Sequence, residues 1–283
     1  MNILVTGCNG QLGNEIQLLA KNCTKHKFIF TDINELDICN EDAINQMVET
    51  KCIDCIINCA AYTAVDKAET NQEICTKLNA DAPGYLAKAI NKKGGQIIHV
   101  STDYVYGGSI NVPYSEEWVT SPESIYGKTK LKGEKNVINN CSKYVILRTA
   151  WLYSPFGNNF VKTMIRLGKE RDELGVVFDQ VGTPTYALDL AKVIMIIIDK
   201  DIESGIYNFS NEGVISWYDF AKAIHRIAGI KCDVRPIHTS DYPTPAKRPN
   251  YSVLDKTKIK KACKITIPYW EDSLQNCIEE LNK

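Results

Sequence analysis

The first thirteen residues constrain the fold more than any other stretch of this 283-residue chain. An apolar run, NILVT, leads directly into GCNGQLG, in which Gly7, Gly10 and Gly13 are spaced G-x-x-G-x-x-G, and an amphipathic helical pattern follows. Glycine permits a tight turn and lets backbone N–H groups approach a phosphate, while the helix N-terminus adds positive potential. A strand, this loop and a helix in that order favour a dinucleotide-binding α/β domain over an ordinary turn.

Apolar β-rich runs then alternate with helical patterns. Strands are predicted at NILVTG, FIFTD, IDCIINCAA, KYVILRTAWLY and GIYNFS, with Leu36-Asp37-Ile38 as a further short candidate. GQIIHVSTDYVYG is predicted as a strand that runs into a loop, and VVFDQVGTP as a strand followed by a turn. Helices are predicted at Gln11–Asn22, Asp42–Thr50, Asn79–Lys92, Tyr126–Asn139, Asn159–Lys169, Ala187–Asp199 and within SWYDFAKAIHRIAG. This alternation indicates an α/β fold, a Rossmann-type doubly wound parallel sheet.

The C-terminal part is less regular, and five of the ten prolines fall after Ala228. This composition predicts a smaller C-terminal substrate-binding lobe. We expect the NAD(P)-binding Rossmann domain to span 1–152 plus roughly 186–210, and the lobe to span roughly 153–185 and 211–283.

The second predicted strand ends at Asp32, about 20 positions beyond the glycine loop, where an acidic residue binds the adenosine ribose of a dinucleotide. Its carboxylate suits the 2′-hydroxyl of NADH and would repel the extra phosphate of NADPH, for which no arginine follows directly. Asp37 is a second candidate, suited to the adenine edge; the alternative for it is a capping or surface aspartate. The residues favour NADH without excluding NADPH.

Two Tyr-x-x-x-Lys spacings occur, Tyr126 with Lys130 and Tyr218 with Lys222. A predicted strand ends at Thr102, 24 residues before Tyr126, whereas Tyr218 has no such strand and stands among apolar residues. A protonated tyrosine can quench the alkoxide that forms when a hydride adds to a carbonyl, and a cation one helical turn away adjusts its pKa. The pattern therefore favours Tyr126 as the acid, with Lys130 as the cation and Thr102 as a hydrogen-bond partner of the substrate oxygen.

Longer stretches carry a family resemblance. NCAAYTAVDKAE, VSTDYVYGG, YGKTKLKGE, LRTAWLYSPFGNNFV and RPNYSVLD are similar to the dTDP-4-dehydrorhamnose reductases of the extended short-chain dehydrogenase/reductase superfamily, from residue 2 to about residue 277. The resemblance implies NAD(P)H-dependent reduction of the C4 keto group of dTDP-4-dehydro-β-L-rhamnose (dTDP-6-deoxy-L-lyxo-4-hexulose) to dTDP-L-rhamnose. That reaction is the last step of dTDP-L-rhamnose biosynthesis.

The resemblance also implies roles for residues. The catalytic residues are Thr102, Tyr126 and Lys130. With the glycine loop and both aspartates, the expected cofactor-binding residues are Gly7, Asn9, Gly10, Gln11, Leu12, Gly13, Asp32, Asp37, Ile38, Ala60, Ala61, Tyr62, Thr63, Tyr126 and Lys130. The expected substrate-binding residues are Val65, Asp103, Tyr104, Trp151 and Arg248. The alternatives weighed are core packing for Trp151 and a salt bridge in the lobe for Arg248.

Some family members are Mg²⁺-dependent dimers joined through glutamates. Glu15 matches one such position, but Leu188 stands where those members have a glutamate, with Asp189 beside it. We therefore expect no metal site, and a monomer or metal-independent homodimer. Cys52 and Cys55 form a C-x-x-C, which we interpret as part of a buried strand and not as a metal or redox site.

Two other functions remain open from the sequence. One is another nucleotide-sugar enzyme of this superfamily, an epimerase or dehydratase; the other is a non-catalytic regulatory subunit with this fold. The net charge of −1 gives no basic excess for nucleic acid or membrane binding. The N-terminus has no signal-peptide pattern, and the longest apolar run is far shorter than the ~20 residues of a membrane span, so we expect a cytoplasmic protein.

Overall fold

The computed structural model describes all 283 residues. The strands are β1 Asn2–Thr6, β2 Lys27–Thr31, β3 Cys55–Asn58, β4 Gln96–Thr102, β5 Tyr144–Thr149, β6 Leu152–Tyr153, β7 Glu173–Val177, β8 Val181–Gly182, β9 Thr185–Tyr186, β10 Gly205–Asn208, β11 Ile215–Ser216 and β12 Asp233–Ile237. The α-helices are α1 Gln11–Ala20, α2 Glu41–Thr50, α3 Val65–Ala68, α4 Gln72–Thr76, α5 Ala82–Asn91, α6 Ile125–Asn140, α7 Phe160–Glu170, α8 Ala187–Lys200, α9 Trp217–Ile227, α10 Thr257–Cys263 and α11 Trp270–Leu281. A π-helical turn, Lys77–Asp81, leads into α5.

The main sheet has six strands in the order β2-β1-β3-β4-β5-β10, and every neighbouring pair is parallel. Side chains alternate between its two faces. In β1, Ile3 and Val5 belong to the core cluster that includes α8, whereas Leu4 belongs to the cluster that includes α2 and α5. Both faces are covered by helices, which confirms the predicted doubly wound parallel sheet.

The sheet topology places the binding region. The chain runs from β1 to β2 on one side and then crosses to β3 on the other side of β1. In open parallel sheets, ligands bind outside the carboxyl ends of the strands at such a switch point. The loops that follow β1 and β3 are therefore expected to border a ligand.

A separate core cluster lies in the C-terminal part and includes the aromatic residues Tyr153, Phe220 and Trp270. Ser216 and Asp219 form a capping box at the start of α9. However, Ile259 and Cys263 of α10 pack in the same cluster as β1. The segment 257–267 thus belongs to the core of the main sheet, and the predicted lobe boundaries stay a prediction.

Several local predictions differ from the structure. Leu36-Asp37-Ile38 is not a strand; Leu36 and Ile38 are buried as anchors of a turn-rich loop. The proline-rich segment contains β12, which pairs only with β7. Pro236 is accommodated there because a strand with one neighbour can lack a donor on its open side. The short helices α3 and α4 and the C-terminal helices α10 and α11 were not predicted.

All eleven cysteines are free. Cys55 is buried in β3, whereas Cys52 is exposed in the turn before it, with φ at 50°. None of the helices combines the length and the apolar character that crossing a bilayer would require.

Candidate active site

A cleft of about 970 Å³ opens at the carboxyl ends of β1, β3, β4 and β5. Its lining includes the glycine loop after β1, the loop after β3, and Gly157, Asn158, Asn159 and Trp217 from the C-terminal part of the chain. The volume lies at the upper end of the range for small-molecule and cofactor sites. The cleft therefore lies at the topological switch point of the sheet and has room for a large ligand.

The glycine loop is held tightly against the neighbouring strand end. Gly7 has φ at +65°, and a Cβ atom there would lie 2.7 Å from the backbone nitrogen of Ala60. Only glycine fits this backbone conformation and this close approach. Helix α1 begins at Gln11 with no side-chain cap at Gly10, so its first N–H groups are available to an anion.

Asp32 lies where it was predicted, just after β2, and lines the cleft. One of its carboxylate oxygens accepts the backbone N–H of Asn9 at 3.0 Å, and the other accepts the N–H of Ile33 at 2.8 Å. The carboxylate is thereby fixed beside the glycine loop. Asp37 is exposed and does not line the cleft; it accepts the N–H of Cys39 at 2.9 Å, the capping alternative considered for it.

The loop after β3 is fixed by buried amides. Asn58 accepts the Thr6 hydroxyl at 2.7 Å and the N–H of Ala60 at 3.2 Å. Asn79 accepts the N–H of Tyr62 at 2.8 Å. Of the other predicted residues in this region, the cleft is lined by Ile38, Ala60, Ala61, Thr63 and Val65, but not by Tyr62.

The three predicted catalytic residues meet in this cleft. Thr102 ends β4, while Tyr126 and Lys130 lie one turn apart on α6. Ser124 caps α6 by accepting the N–H of Gly127 at 3.1 Å. Lys130 is only 2% exposed, and its ammonium donates to the carbonyl oxygen of Val100 at 2.7 Å.

Burial sets the protonation states of this group. It raises the pKa of Tyr126 above its ordinary value, with a hydrogen bond to Thr102 acting in the opposite direction. It lowers the pKa of Lys130 to about 8, with the Glu134 carboxylate opposing that effect. At neutral pH both groups are therefore protonated, a phenol and an ammonium one helical turn apart that line the same cleft.

A buried ion pair between Arg148 and Glu134 holds α6 against the sheet. The sequence did not predict this pair. Arg148 of β5 donates to Glu134 of α6 through Nη2 at 2.6 Å and through Nε at 2.9 Å, and Ser101 donates to the same carboxylate at 2.5 Å. Both charged side chains are almost fully buried. The pair joins α6 to β5, and the Ser101 hydrogen bond joins α6 to β4. The only signal in the sequence is the position of Glu134, one helical turn beyond Lys130.

Trp151 and Trp217 form an aromatic wall of the cleft. Their rings stack with centroids 3.6 Å apart and planes 12° apart. Trp151 has φ at 48°, a left-handed conformation that is strained for a bulky residue and recurs at functional sites. Trp217 was not predicted, because its place in the amphipathic pattern of α9 indicated packing in the lobe core.

The remaining substrate candidates separate into two groups. Asp103 and Tyr104 line the cleft, and burial raises the pKa of Asp103 to about 6, with hydrogen bonds from Ser252 and Thr102 opposing it. Arg248 does not line the cleft. Its guanidinium is paired with Asp66 through two hydrogen bonds of 2.8 and 2.7 Å.

Other parts of the lining were also missed. The loop after β6 contributes Gly157, Asn158 and Asn159, and Asn159 donates to Gln11 of the glycine loop at 3.0 Å. The second Tyr-x-x-x-Lys match is elsewhere: Tyr218 packs against the lobe core, and neither it nor Lys222 lines this cleft.

The expectation that this chain lacks the Mg²⁺ site of some family members stays a prediction, and the two carboxylates considered for that site lie in different surroundings. Glu15 is buried and one of its oxygens has no partner. Asp189, however, accepts from Asn211 at 2.9 Å and from Ser273 at 2.6 Å through one oxygen, and its other oxygen pairs with Lys192 at 3.4 Å. No group of three or more His, Cys, Asp or Glu side chains converges in a way that could hold a metal ion.

Comparison with known proteins gives the family. The family model described as RmlD substrate binding domain matches residues 1–283. The dTDP-4-dehydrorhamnose reductase of Aggregatibacter actinomycetemcomitans is 41% identical over 285 residues, covering 97% of each chain. That of Salmonella typhimurium is 39% identical over 295 residues, covering 99% of this chain and 98% of its own.

Solved structures agree. A dTDP-4-dehydrorhamnose reductase from Clostridium acetobutylicum superposes with a TM-score of 0.97 at 46% identity over the whole of both chains. The enzyme from Bacillus anthracis in complex with NADP gives a TM-score of 0.94 at 39% identity over 99% of both chains. A dTDP-glucose 4,6-dehydratase from the same organism shares the fold at 18% identity. The resemblance carried by the sequence motifs is confirmed, and this chain belongs to the dTDP-4-dehydrorhamnose reductase family.

Proposed function

We propose that this protein reduces the C4 keto group of dTDP-4-dehydro-β-L-rhamnose with NADPH or NADH and releases dTDP-L-rhamnose, the last step of dTDP-L-rhamnose biosynthesis. The observation that carries the proposal is the meeting of Thr102, Tyr126 and Lys130 in the cleft that the glycine loop borders. Family membership supports the choice of substrate, because the relatives named above are dTDP-4-dehydrorhamnose reductases.

The chemistry assigned to the chain is proton delivery and charge stabilisation. When bound, the nicotinamide nucleotide supplies a hydride to the C4 carbon. The Tyr126 hydroxyl gives its proton to the C4 oxygen, and its raised pKa keeps that proton in place until negative charge develops there. Lys130 supplies a positive charge one helical turn from the phenol. The Thr102 hydroxyl, which donates to Asp103 at 3.0 Å without a ligand, is assigned to donate to the C4 oxygen when the substrate is bound.

The lobe side of the cleft is suited to a 6-deoxyhexose. The stacked Trp151 and Trp217 rings offer an apolar surface for the sugar's methyl group and apolar face. Asp103 and Tyr104 offer polar groups for its hydroxyls, and Val65 borders the same space. Arg248 is assigned to the diphosphate, since a guanidinium fork suits that group, although it is paired with Asp66 without a ligand.

Cofactor choice is assigned to the neighbourhood of Asp32. Its fixed carboxylate favours the ribose 2′-hydroxyl of NADH, and the support for NADPH comes from a relative. We therefore propose that both cofactors are used. A solved relative was crystallised with NADP, which supports NADPH as one of the two.

The test is a coupled reaction in which dTDP-glucose and the upstream enzymes generate the keto sugar nucleotide. Absorbance at the nicotinamide band should fall only when this substrate and the protein are both present, with one cofactor consumed per sugar reduced. A reaction with dTDP-glucose alone is the control. An epimerase or dehydratase would instead recycle a bound cofactor, and a regulatory subunit would consume none; either result would replace the proposed reduction.

The proposed partner is a nucleotide sugar, without nucleic acid or membrane, and the proposed location is the cytoplasm. The near-zero net charge supports the absence of a polyanionic partner. We propose a monomer or a homodimer that needs no metal. Light scattering after gel filtration, with and without EDTA, tests that assembly: an oligomer that dissociates in EDTA would contradict it.

A further inference from the structure

The one-turn helix α3 lies between the cofactor loop and the catalytic helix. It follows the loop that ends at Thr63, packs against α6, and has the fully buried Ala68 as its anchor. Its sequence, VDKA, is followed by Glu69, so this short element carries two carboxylates, one on Asp66 and one on the residue that follows the helix. Neither Asp66 nor Glu69 lines the cleft, and neither has a role in the chemistry described above.

Asp66 binds a segment of the C-terminal lobe that is 180 or more positions away. Its carboxylate receives both terminal nitrogens of Arg248, at 2.8 and 2.7 Å, and also the N–H of Ala246 at 3.2 Å. Arg248 further donates to the carbonyl oxygen of Ala246 at 2.9 Å, and Ala246 is fully buried. The segment 246–248 is therefore held by an internal hydrogen bond, and the Asp66 carboxylate bonds it to α3.

Glu69 binds the catalytic helix. Its Oε1 accepts the N–H of Ile125, the first residue of α6, at 2.9 Å. Ser124 caps Gly127 in the same turn, so the Ile125 N–H is satisfied from outside the helix, by a residue 56 positions earlier in the chain. Tyr126 is the next residue. An acceptor that fixes the start of α6 thus fixes the position of the phenol that delivers the proton.

We propose that α3 and its two carboxylates hold the substrate lobe in a fixed position relative to the proton donor; we call this element the bracket. Glu69 is a positioning residue for Tyr126, and Asp66 is a positioning residue for Arg248. The inference rests on the proposed reductase function and deepens it. Glu69 acts through the helix start and affects the chemical step. Asp66 acts through the lobe segment and affects retention of the sugar nucleotide, whose diphosphate is assigned to Arg248.

Two substitutions at Glu69 test separately the length of the side chain and its negative charge. Glu69→Asp keeps the charge but is one methylene too short for the 2.9 Å bond to Ile125, and Glu69→Gln keeps the reach with a neutral oxygen. We expect Glu69→Asp to lower kcat about tenfold with KM within twofold, because small displacements of a reacting group are costly. Glu69→Gln should retain kcat within threefold. Glu73→Gln is the matched control, because Glu73 is 85% exposed and pairs only with Lys77.

Asp66→Asn removes the charge and one half of the paired hydrogen bonds to Arg248. We expect KM for the sugar nucleotide to rise about tenfold while kcat stays within threefold, and nicotinamide cofactor binding, followed by fluorescence, to stay unchanged. Glu123→Gln is the control. Glu123 ties Lys247 of the same segment to the loop before α6 through an exposed pair that should contribute little.

The wild-type protein is assayed in parallel, so that failure of the reductase assignment is seen as absence of wild-type turnover. With an active wild type, three results would each overturn the bracket: equal effects of Glu69→Asp and Glu69→Gln, a Glu69 effect confined to KM, or an Asp66→Asn defect confined to kcat. Thermal melting and cofactor fluorescence of every variant show whether it is folded. If Glu69→Asp does not fold, Glu69→Gln alone decides, because loss of its kcat by more than tenfold contradicts a role that needs only the acceptor.

Discussion

Replacing Lys130 by methionine should stabilise the fold and at the same time remove activity. The lysine side chain is 2% exposed, and the hydrogen bond recorded for its ammonium is the one to the Val100 carbonyl oxygen. The carboxylate that favours its charged form, that of Glu134, already accepts hydrogen bonds from Arg148 and Ser101. A charge held in this way costs free energy in the folded state, and methionine fills a similar volume without it.

The pKa of Lys130 gives the magnitude. A fall from 10.5 to about 8 corresponds to about 3 kcal/mol of unfavourable free energy while the lysine is protonated in both the folded and the unfolded chain. Loss of the hydrogen bond to Val100 destabilises the variant by about 1 kcal/mol and offsets part of that gain. Lys130→Met should therefore gain about 2 kcal/mol at pH 7, a rise in Tm of about 4–8 °C. Turnover should fall by about 10²-fold or more, because the cation beside Tyr126 is lost.

The stability gained by Lys130→Met should depend on pH, and the direction of that dependence tests the argument. Because the folded-state pKa is the lower one, the unfolded chain binds more protons between about pH 8 and 10.5, and the wild type gains stability across that window. The advantage of Lys130→Met should thus be full at pH 7 and mostly gone at pH 10.5. Differential scanning of both proteins at the two pH values measures it, with Lys128→Met, an exposed lysine on the same helix, as the control. A less stable variant at pH 7, or an advantage that does not change with pH, would refute the reasoning.

Four further outcomes are expected. Tyr126→Phe should lower kcat by about 10²–10⁴-fold with cofactor binding retained in a fluorescence titration; near-normal turnover would exclude Tyr126 as the acid. Gly7→Ala should weaken cofactor binding at least tenfold in the same titration, because its Cβ would lie 2.7 Å from the Ala60 nitrogen; unchanged binding would contradict the close approach. Trp217→Ala should raise KM for the sugar nucleotide and leave cofactor Kd unchanged, and an effect on Kd alone would place Trp217 outside the substrate wall. For wild type, kcat/KM should decline as pH rises through about 8, where Lys130 loses its proton; a flat profile to pH 10 would remove that assignment.

Local patterns in the sequence were sufficient for much of the fold. The continuous apolar run of β1, the glycine loop and the alternation of strands with helices each depend on residues close together in the chain. For this reason helix α1 was expected to begin at Gln11, where it does begin, and α6 within one residue of its observed start. The short helices α3 and α4 escaped prediction because four or five residues are too few to show a helical period.

The site divides in the same way. Gly7, Asp32, Thr102, Tyr126 and Lys130 could be named because their spacing is tied to the ends of predicted strands and to one helical turn, and all five line the cleft. Asp37, Tyr62 and Arg248 were named with them but do not line it. Whether a loop side chain turns toward a cleft depends on what competes for its polar atoms, and Arg248 is taken by Asp66.

The sequence by itself determined the sheet type, the glycine loop and which of two Tyr-x-x-x-Lys pairs lines the cleft, because short-range periodicity and spacing encode them. Only the tertiary structure decided that Trp217 stacks on Trp151 in the cleft wall and that Glu134 of α6 pairs with Arg148. It also decided that Asp66 binds Arg248 of the lobe and that Glu69 binds the first turn of α6. Several of these contacts join residues as much as 56 to 182 positions apart. Pairings at such separations have no local period, since they arise only when the packed core brings distant loops together.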